Sequence, residues 1–212
     1  MKEDGGIVNG RNPGVGRMNP YQGNQAFPHP SAKPAAARVI IRPARPDDLE
    51  EATLLERRIW GRLAAPLKEL QRRLFALPES FLLAELHRAG RPPRIVAQLN
   101  GVLWTRDFPK SYLQCEKMLP SASHNPRGDV LYIASIGVDE PLRGRNIGFR
   151  LLQEANVVGR RRHLKIVRLV ANHRSRPLFL RAGFELIRPL PQLYRQHRNL
   201  MPRPVLMESS LV

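Results

Sequence analysis

Val130–Leu131–Tyr132–Ile133–Ala134–Ser135–Ile136–Gly137–Val138 is a continuous apolar run, and Asp139–Glu140–Pro141–Leu142–Arg143–Gly144–Arg145–Asn146–Ile147–Gly148 follows it directly. The first stretch reads as a strand and the second as a turn that opens a helix over about Gly144–Arg161. Ile166–Val167–Arg168–Leu169–Val170 reads as the next strand. Together they form a βαβ unit, whose two strands run parallel with a right-handed crossover. Small residues in the turn let a backbone approach a ligand closely. The unpaired N–H groups and positive dipole of the helix start favour an anion there. Arg143 and Arg145 add guanidinium charge beside it. This is the geometry of a pyrophosphate cradle, and its plainer alternative is a solvated turn that happens to carry Gly and Arg. Two nucleotide-binding patterns do not fit. The Walker Lys–Ser/Thr pair is absent. A dinucleotide fingerprint needs three glycines and an acid about 20 residues on, whereas position 146 is Asn and no acid lies at that distance.

Working outward, Val39–Ile40–Ile41–Arg42–Pro43 predicts a first strand. Pro46–Asp47–Asp48 opens a helix, with Pro suited to its first turn and the acids to its positive end. Leu49, Ala52, Leu55 and Ile59 give that helix an apolar stripe. A second helix is expected over Pro66–Ala76, with Leu67, Leu70 and Leu74 on one face. Phe81–Leu86 and Ile95–Trp104 predict an antiparallel hairpin around a Gly90–Pro93 turn, with Gly101 a candidate bulge. Thr105–Asp129 reads as irregular. Downstream come a short helix over Ser175–Ala182 and strands at Phe184–Ile187 and Val205–Met207. Residues 1–37 are rich in Gly, Pro and Asn and read as a disordered tail. Residues 38–209 read as one domain and 210–212 as a C-terminal tail.

The turn resembles the signature of the GNAT superfamily of N-acetyltransferases, Arg/Gln-x-x-Gly-x-Gly/Ala. Here it reads Arg143–Gly144–Arg145–Asn146–Ile147–Gly148, with Asn146 in place of the first glycine. Asn tolerates the left-handed conformation best after Gly, so the loop is expected to survive the change. A second motif of that family, Asn-x-x-(small)-x-x-Leu-(Tyr/Phe)-x-x-x-Gly-Phe, matches Asn172–His173–Arg174–Ser175–Arg176–Pro177–Leu178–Phe179–Leu180–Arg181–Ala182–Gly183–Phe184. The resemblance implies an α/β fold with a mixed, mostly antiparallel sheet, one parallel pair and flanking helices. It also implies roles. Backbone groups of Ile136, Gly137 and Val138 would bind the pantetheine of acetyl-CoA, and one N–H would polarise the thioester carbonyl. Arg143, Gly144, Arg145, Asn146, Ile147 and Gly148 would hold the pyrophosphate. Asn172 would bond the pantetheine arm. Phe179 stands beside the arm where many members carry a Tyr that protonates the leaving thiolate.

The formal net charge is +17, from 35 Lys+Arg against 18 Asp+Glu. Such a surplus attracts polyanions. Between Arg143 and Arg203 the chain carries 15 basic residues and only the acids Glu154 and Glu185. A phosphorylated cofactor accounts for some of them. A nucleic-acid or ribosomal partner is a weaker reading, because no aromatic residue interleaves with Arg160–Arg161–Arg162–His163. The single cysteine, Cys115, excludes an internal disulfide and a Cys-rich metal site, so no metal is expected. No run approaches the ~20 apolar residues of a membrane helix, and no secretory signal is evident at the N-terminus. The expected setting is cytoplasmic, with a homodimer possible.

Acyl transfer needs a neutral amine, so something must take its proton. The strand before the signature holds no acid and no His. On strict alternation Tyr132, Ala134 and Ile136 share one face and Ser135 takes the other. Tyr132 is therefore the first candidate to line the site and anchor a water, against the plainer reading of a core aromatic. Glu85, Glu185, Tyr194 and His197 rank below it. Trp60, Trp104 and the loop Pro191–Pro204 flank the acceptor by analogy. The function expected is acetyl transfer from acetyl-CoA to a primary amine of a small molecule, with a non-catalytic acyl-CoA-binding module as a further alternative.

Overall fold

A computed structural model describes residues 37–108, 120–191 and 202–212. The expected tail at 1–37 lies almost wholly outside the described residues, as do Cys115, Tyr194 and His197. The described strands form one mixed sheet in the order β1-β2-β3-β4-β5-β7-β6. They are β1 Arg38–Pro43, β2 Leu82–Arg88, β3 Arg91–Trp104, β4 Val130–Val138, β5 Ile166–Ala171, β6 Glu185–Pro189 and β7 Val205–Ser210. Only β4 and β5 pair in parallel. This is the mixed, mostly antiparallel GNAT-type sheet that the resemblance implied.

Helices cover both faces. α1 (Leu49–Trp60) and α2 (Leu67–Ala76) pack on one side, and α3 (Ile147–Arg161) and the short α4 (Arg176–Arg181) on the other. α1 is launched as the sequence suggests. The Asp48 carboxylate accepts the Arg45 backbone N–H at 2.6 Å, and Leu49, Ala52 and Leu55 are buried. In α2, Leu70 and Leu74 are buried, but Leu67, the first residue of the helix, is 42% exposed. The expected turn at Gly90–Pro93 is confined to Ala89 and Gly90. Pro92 and Pro93 lie in β3 opposite His87, where the ladder is irregular and their missing N–H groups cost no regular bond.

Across β3 and β4, Gly101 pairs with Ile133 and Asn100 with Ser135, so Ala134 is an extra residue on β4. A bulge of this kind resets the alternation of faces. Tyr132 stays on the side of Trp104, and Ile133 enters the core beneath α3. After the bulge Ser135 points to α1, while Ile136 and Val138 pack against the α3-side core. The expectation that Tyr132 and Ile136 share a face is therefore incorrect; Tyr132 and Ser135 share one. The close fit at Gly101, where a Cβ would lie 2.6 Å from the Tyr132 carbonyl oxygen, is the glycine side of the same irregularity.

β7 runs to Ser210, the Leu211 N–H donates to the Lys165 carbonyl at 3.0 Å, and its side chain packs over Gly159.

Candidate active site

The β4–β5 ladder ends at Ile133 and Leu169, although β4 continues to Val138 and β5 to Ala171. The two strands splay beyond that point. Ala134, Ile136, Gly137 and Val138 are half-buried even though β4 lies in the middle of the sheet. Their backbone groups on the β5 side have no ladder partner, which leaves a cleft lined by peptide donors and acceptors. The floor is fixed from the other side. A Cβ at Gly137 would lie 2.8 Å from two carbons of Ile59 on α1.

The cleft leads to the turn before α3. Asn146 is the N-cap of α3 and adopts the left-handed conformation, φ 63° and ψ 9°. The substitution of Asn for Gly is thus accommodated as its side-chain chemistry allows. Its Oδ1 accepts a hydrogen bond from Arg181 Nη2 at 2.6 Å, and the same guanidinium lies 4.7 Å above the Phe149 ring. The first bond into the helix runs from the Arg150 N–H to the Asn146 carbonyl. The N–H groups of Ile147, Gly148 and Phe149 therefore have no intrahelical acceptor and present the positive end of the helix. Gly148 lets this end approach closely, since a Cβ there would lie 3.2 Å from Leu178 and 3.6 Å from Val138. Gly144 has φ 76° and open space around it. Arg143 donates to the Val138 carbonyl at 3.3 Å, and Arg145 is exposed. These groups fit an anionic phosphate.

Asn172 is half-buried at the end of β5, and its Oδ1 accepts the N–H groups of Arg174 and Ser175 at 3.0 Å. Only its Nδ2 group is left to donate to a ligand. Phe179 is 3% exposed and packs against Phe184 at 5.9 Å between ring centres. Tyr132 stacks on Trp104 at 3.8 Å, and Trp104 donates its indole N–H to Ser123 at 3.1 Å. Glu85 is committed to Arg42, whose guanidinium holds its carboxyl below the ordinary range. Glu185 is exposed on the edge strand β6.

The sequence reading missed Glu56. It lies on α1, is 2% exposed, and accepts the Ser135 hydroxyl at 2.9 and 3.1 Å. Gln98 Nε2 and the Ala65 N–H also donate to it. Burial pushes its carboxyl up from the ordinary value, against the opposing hydrogen bond from Ser135 and the charge of Arg73. A signal was present: Glu56 lies four residues after Ala52, on the stripe that otherwise carries apolar side chains. Gln98 and Asn100 similarly interrupt the apolar run of β3 at alternate positions. Among the described residues no group of three or more His, Cys, Asp or Glu could hold a metal ion, and no helix is long and apolar enough to cross a membrane.

The chain matches the acetyltransferase (GNAT) family over residues 67–184, more than half its length. It belongs to the GNAT family. It is therefore an acyltransferase, of a family that uses acyl-CoA and an acceptor. No curated protein matches it in sequence. Solved GNAT structures share its fold. The loading GNATL domain of CurA from Lyngbya majuscula is 16% identical with a TM-score of 0.66, over 82% of this chain and 98% of that one. The GphF GNAT-like decarboxylase, in complex with isobutyryl-CoA, is 21% identical with a TM-score of 0.67, over 82% and 100%. The ribosomal-protein-S18-alanine N-acetyltransferase from Escherichia coli is 15% identical with a TM-score of 0.54, over 82% and 94%.

Proposed function

We propose that this GNAT enzyme transfers an acetyl group from acetyl-CoA to a primary amine of a small molecule by direct attack. The observation that carries the reading is the splayed, half-buried end of β4 leading straight to the cationic turn at Asn146. Pantetheine lies along Ile136, Gly137 and Val138, whose β5-side backbone groups have no ladder partner. One N–H there bonds the thioester oxygen and stabilises the charge that develops on it. The pyrophosphate is held by Arg143, Gly144, Arg145, Asn146, Ile147 and Gly148. Asn172 donates through Nδ2 to the arm, and Phe179 supports that wall from the core. Tyr132 lines the acceptor side, stacked on the buried Trp104.

Charge supports a small acceptor. A protein with a net charge of +17 repels a basic peptide tail more than a small amine. The exposed Arg160, Arg161 and Lys165 lie at the far end of α3 from the turn, so they serve neither substrate directly.

The test is calorimetric titration of acetyl-CoA into the wild type and an Arg143→Ala/Arg145→Ala variant, followed by an amine panel. Micromolar binding that the variant loses, with transfer to a small amine, is the expected result. Failure of the wild type to bind at low salt, free of nucleic acid, overturns the reading. Isobutyryl-CoA and a peptide with an N-terminal alanine serve as competing donor and acceptor. Preference for either one corrects the acyl group or the acceptor.

One observation favours a second reading. Phe179 has no proton to give a leaving thiolate. Coenzyme binding without turnover of any amine would make the chain an acyl-CoA-binding module. The thiolate's ordinary pKa of about 8.5 makes unaided departure feasible and keeps the enzyme reading first.

A further inference from the structure

We propose that Ser135 takes the proton from the acceptor amine and passes its own to the Glu56 carboxylate behind it. This rests on the acetyltransferase reading above and names the group that reading lacks.

The geometry begins with the bulge at Ala134, which turns Ser135 away from the α3-side core and toward α1. Its neighbours Ala134 and Ile136 are half-buried at the splay, and Ser135, 6% exposed, sits between them on the α1 side of β4. Its hydroxyl is within hydrogen-bonding distance of both Glu56 oxygens. An ionised carboxylate only accepts, so the hydroxyl proton points at Glu56 and the oxygen lone pairs face elsewhere. That is the orientation a relay requires.

The carboxylate is built to receive a proton. Among the described residues no Lys, Arg or His forms an ion pair with it. The buried charged groups of α2 are Arg73 and Glu69, which pair with each other at 2.9 Å, while Lys68 and Arg72 of α2 and Arg62 of the turn before it are not buried. β3 contributes the neutral Gln98 and Asn100, and β4 contributes Ser135. Gln98 donates to Glu56 through Nε2, and its buried Oε1 has no hydrogen-bond partner. Trp60 Nε1 on α1 and Asn100 Nδ2 on β3 are buried donors that likewise lack a partner, so both donor and acceptor capacity remain open around this network. An unshifted carboxylate is a weak base toward an amine; one whose affinity for protons is raised by burial is better matched.

In the step, the amine nitrogen attacks the thioester carbon and the N–C bond forms. A nitrogen proton moves to Ser135 Oγ while the Ser135 proton moves to a Glu56 oxygen. The C–S bond then breaks and the electron pair leaves with sulfur as thiolate. Glu56 returns its proton to solvent, from which the thiolate is protonated.

The probes are acetyl-CoA with putrescine, tyramine, glucosamine and alanine amide. For whichever amine the wild type acetylates best, kcat/KM is measured against pH for the wild type, Ser135→Ala, Ser135→Thr and Glu56→Gln. Ser135→Ala is expected to lose about a hundredfold in kcat with unchanged acetyl-CoA affinity. Ser135→Thr, which keeps the hydroxyl, restores most of it. Glu56→Gln flattens the acidic limb of the profile. Activity of Ser135→Ala close to wild type with the acidic limb in place overturns the relay and leaves the acetyltransferase reading standing. No transfer by the wild type to any of the amines overturns both. If Glu56→Gln does not fold, the Ser135 pair decides alone, because Ser135→Ala removes one oxygen and leaves the Gln98 and Ala65 hydrogen bonds to Glu56 in place.

Discussion

Ile59 occupies the space that any side chain at position 137 would need. Its Cδ1 and Cγ2 lie 2.8 Å from where a Gly137 Cβ would be. α1 therefore reads the cleft strand through a contact that only glycine permits. Gly137→Ala should destabilise the fold by about 1–3 kcal/mol through overpacking and weaken acetyl-CoA binding by shifting β4. The double variant Gly137→Ala/Ile59→Ala should recover part of both losses. Urea unfolding and calorimetry on the four proteins of this cycle measure it. Additive losses would show that the two residues do not share a contact.

The left-handed Asn146 separates backbone need from side-chain need. Asn146→Ala should cost about 1–2 kcal/mol, because a Cβ without a polar side chain is strained at positive φ. Asn146→Gly should keep the turn but lose the bond to Arg181. Thermal melts are expected to rank the wild type and the Gly variant above the Ala variant, and acetyl-CoA affinity should follow the same order.

Arg42 bridges the start of α1 to β2. It pairs with both oxygens of Asp48 at 2.7 and 2.8 Å and donates through Nε to Glu85 at 2.9 Å. Those bonds hold both carboxyls below their ordinary values. A carboxyl with a lowered folded pKa contributes stability above its unfolded value, and that stability is lost as pH falls through the folded one. Unfolding free energy should therefore drop on acidification below about pH 4. Arg42→Ala should be less stable at neutral pH and show a shallower acid dependence. Denaturant melts between acidic and neutral pH read both effects.

Glu56 has the opposite sign. Burial raises its folded pKa above the unfolded value. Such a group favours the fold below the unfolded pKa, and the advantage disappears as pH rises through the folded one. Glu56→Gln should gain stability relative to the wild type as pH rises above about 4.5. Melts across that range test it, and a constant difference between the two proteins would contradict the burial argument.

The apolar run of β4, the turn and the start of α3 were legible because composition, spacing and helix-start chemistry agree there. Asn146 in a left-handed turn followed from its side chain alone. The bulge at Ala134 was not legible, since one extra residue in an apolar strand leaves no mark in hydrophobicity, yet it decides whether Ser135 meets α1 or α3. Glu56 was hidden for a different reason. A charged residue within a helical stripe resembles a boundary of the stripe until its partners Gln98 and Ser135, from two distant strands, are brought beside it. Leu67 misled in the reverse sense, because apolar periodicity marks a face of a helix but not which positions on it a neighbour covers.

β6 joins the sheet only through β7, although it precedes β7 in the chain. β7 also covers the edge of β5, one wall of the cleft. During synthesis, residues up to Pro189 emerge with β5 still an open edge and β6 with nothing to pair against. The cleft acquires its finished wall only after Val205–Ser210 has left the ribosome and slotted between them. A nascent chain cut short before that segment thus forfeits two strands, and its unpaired β5 edge becomes a place where another polypeptide can add.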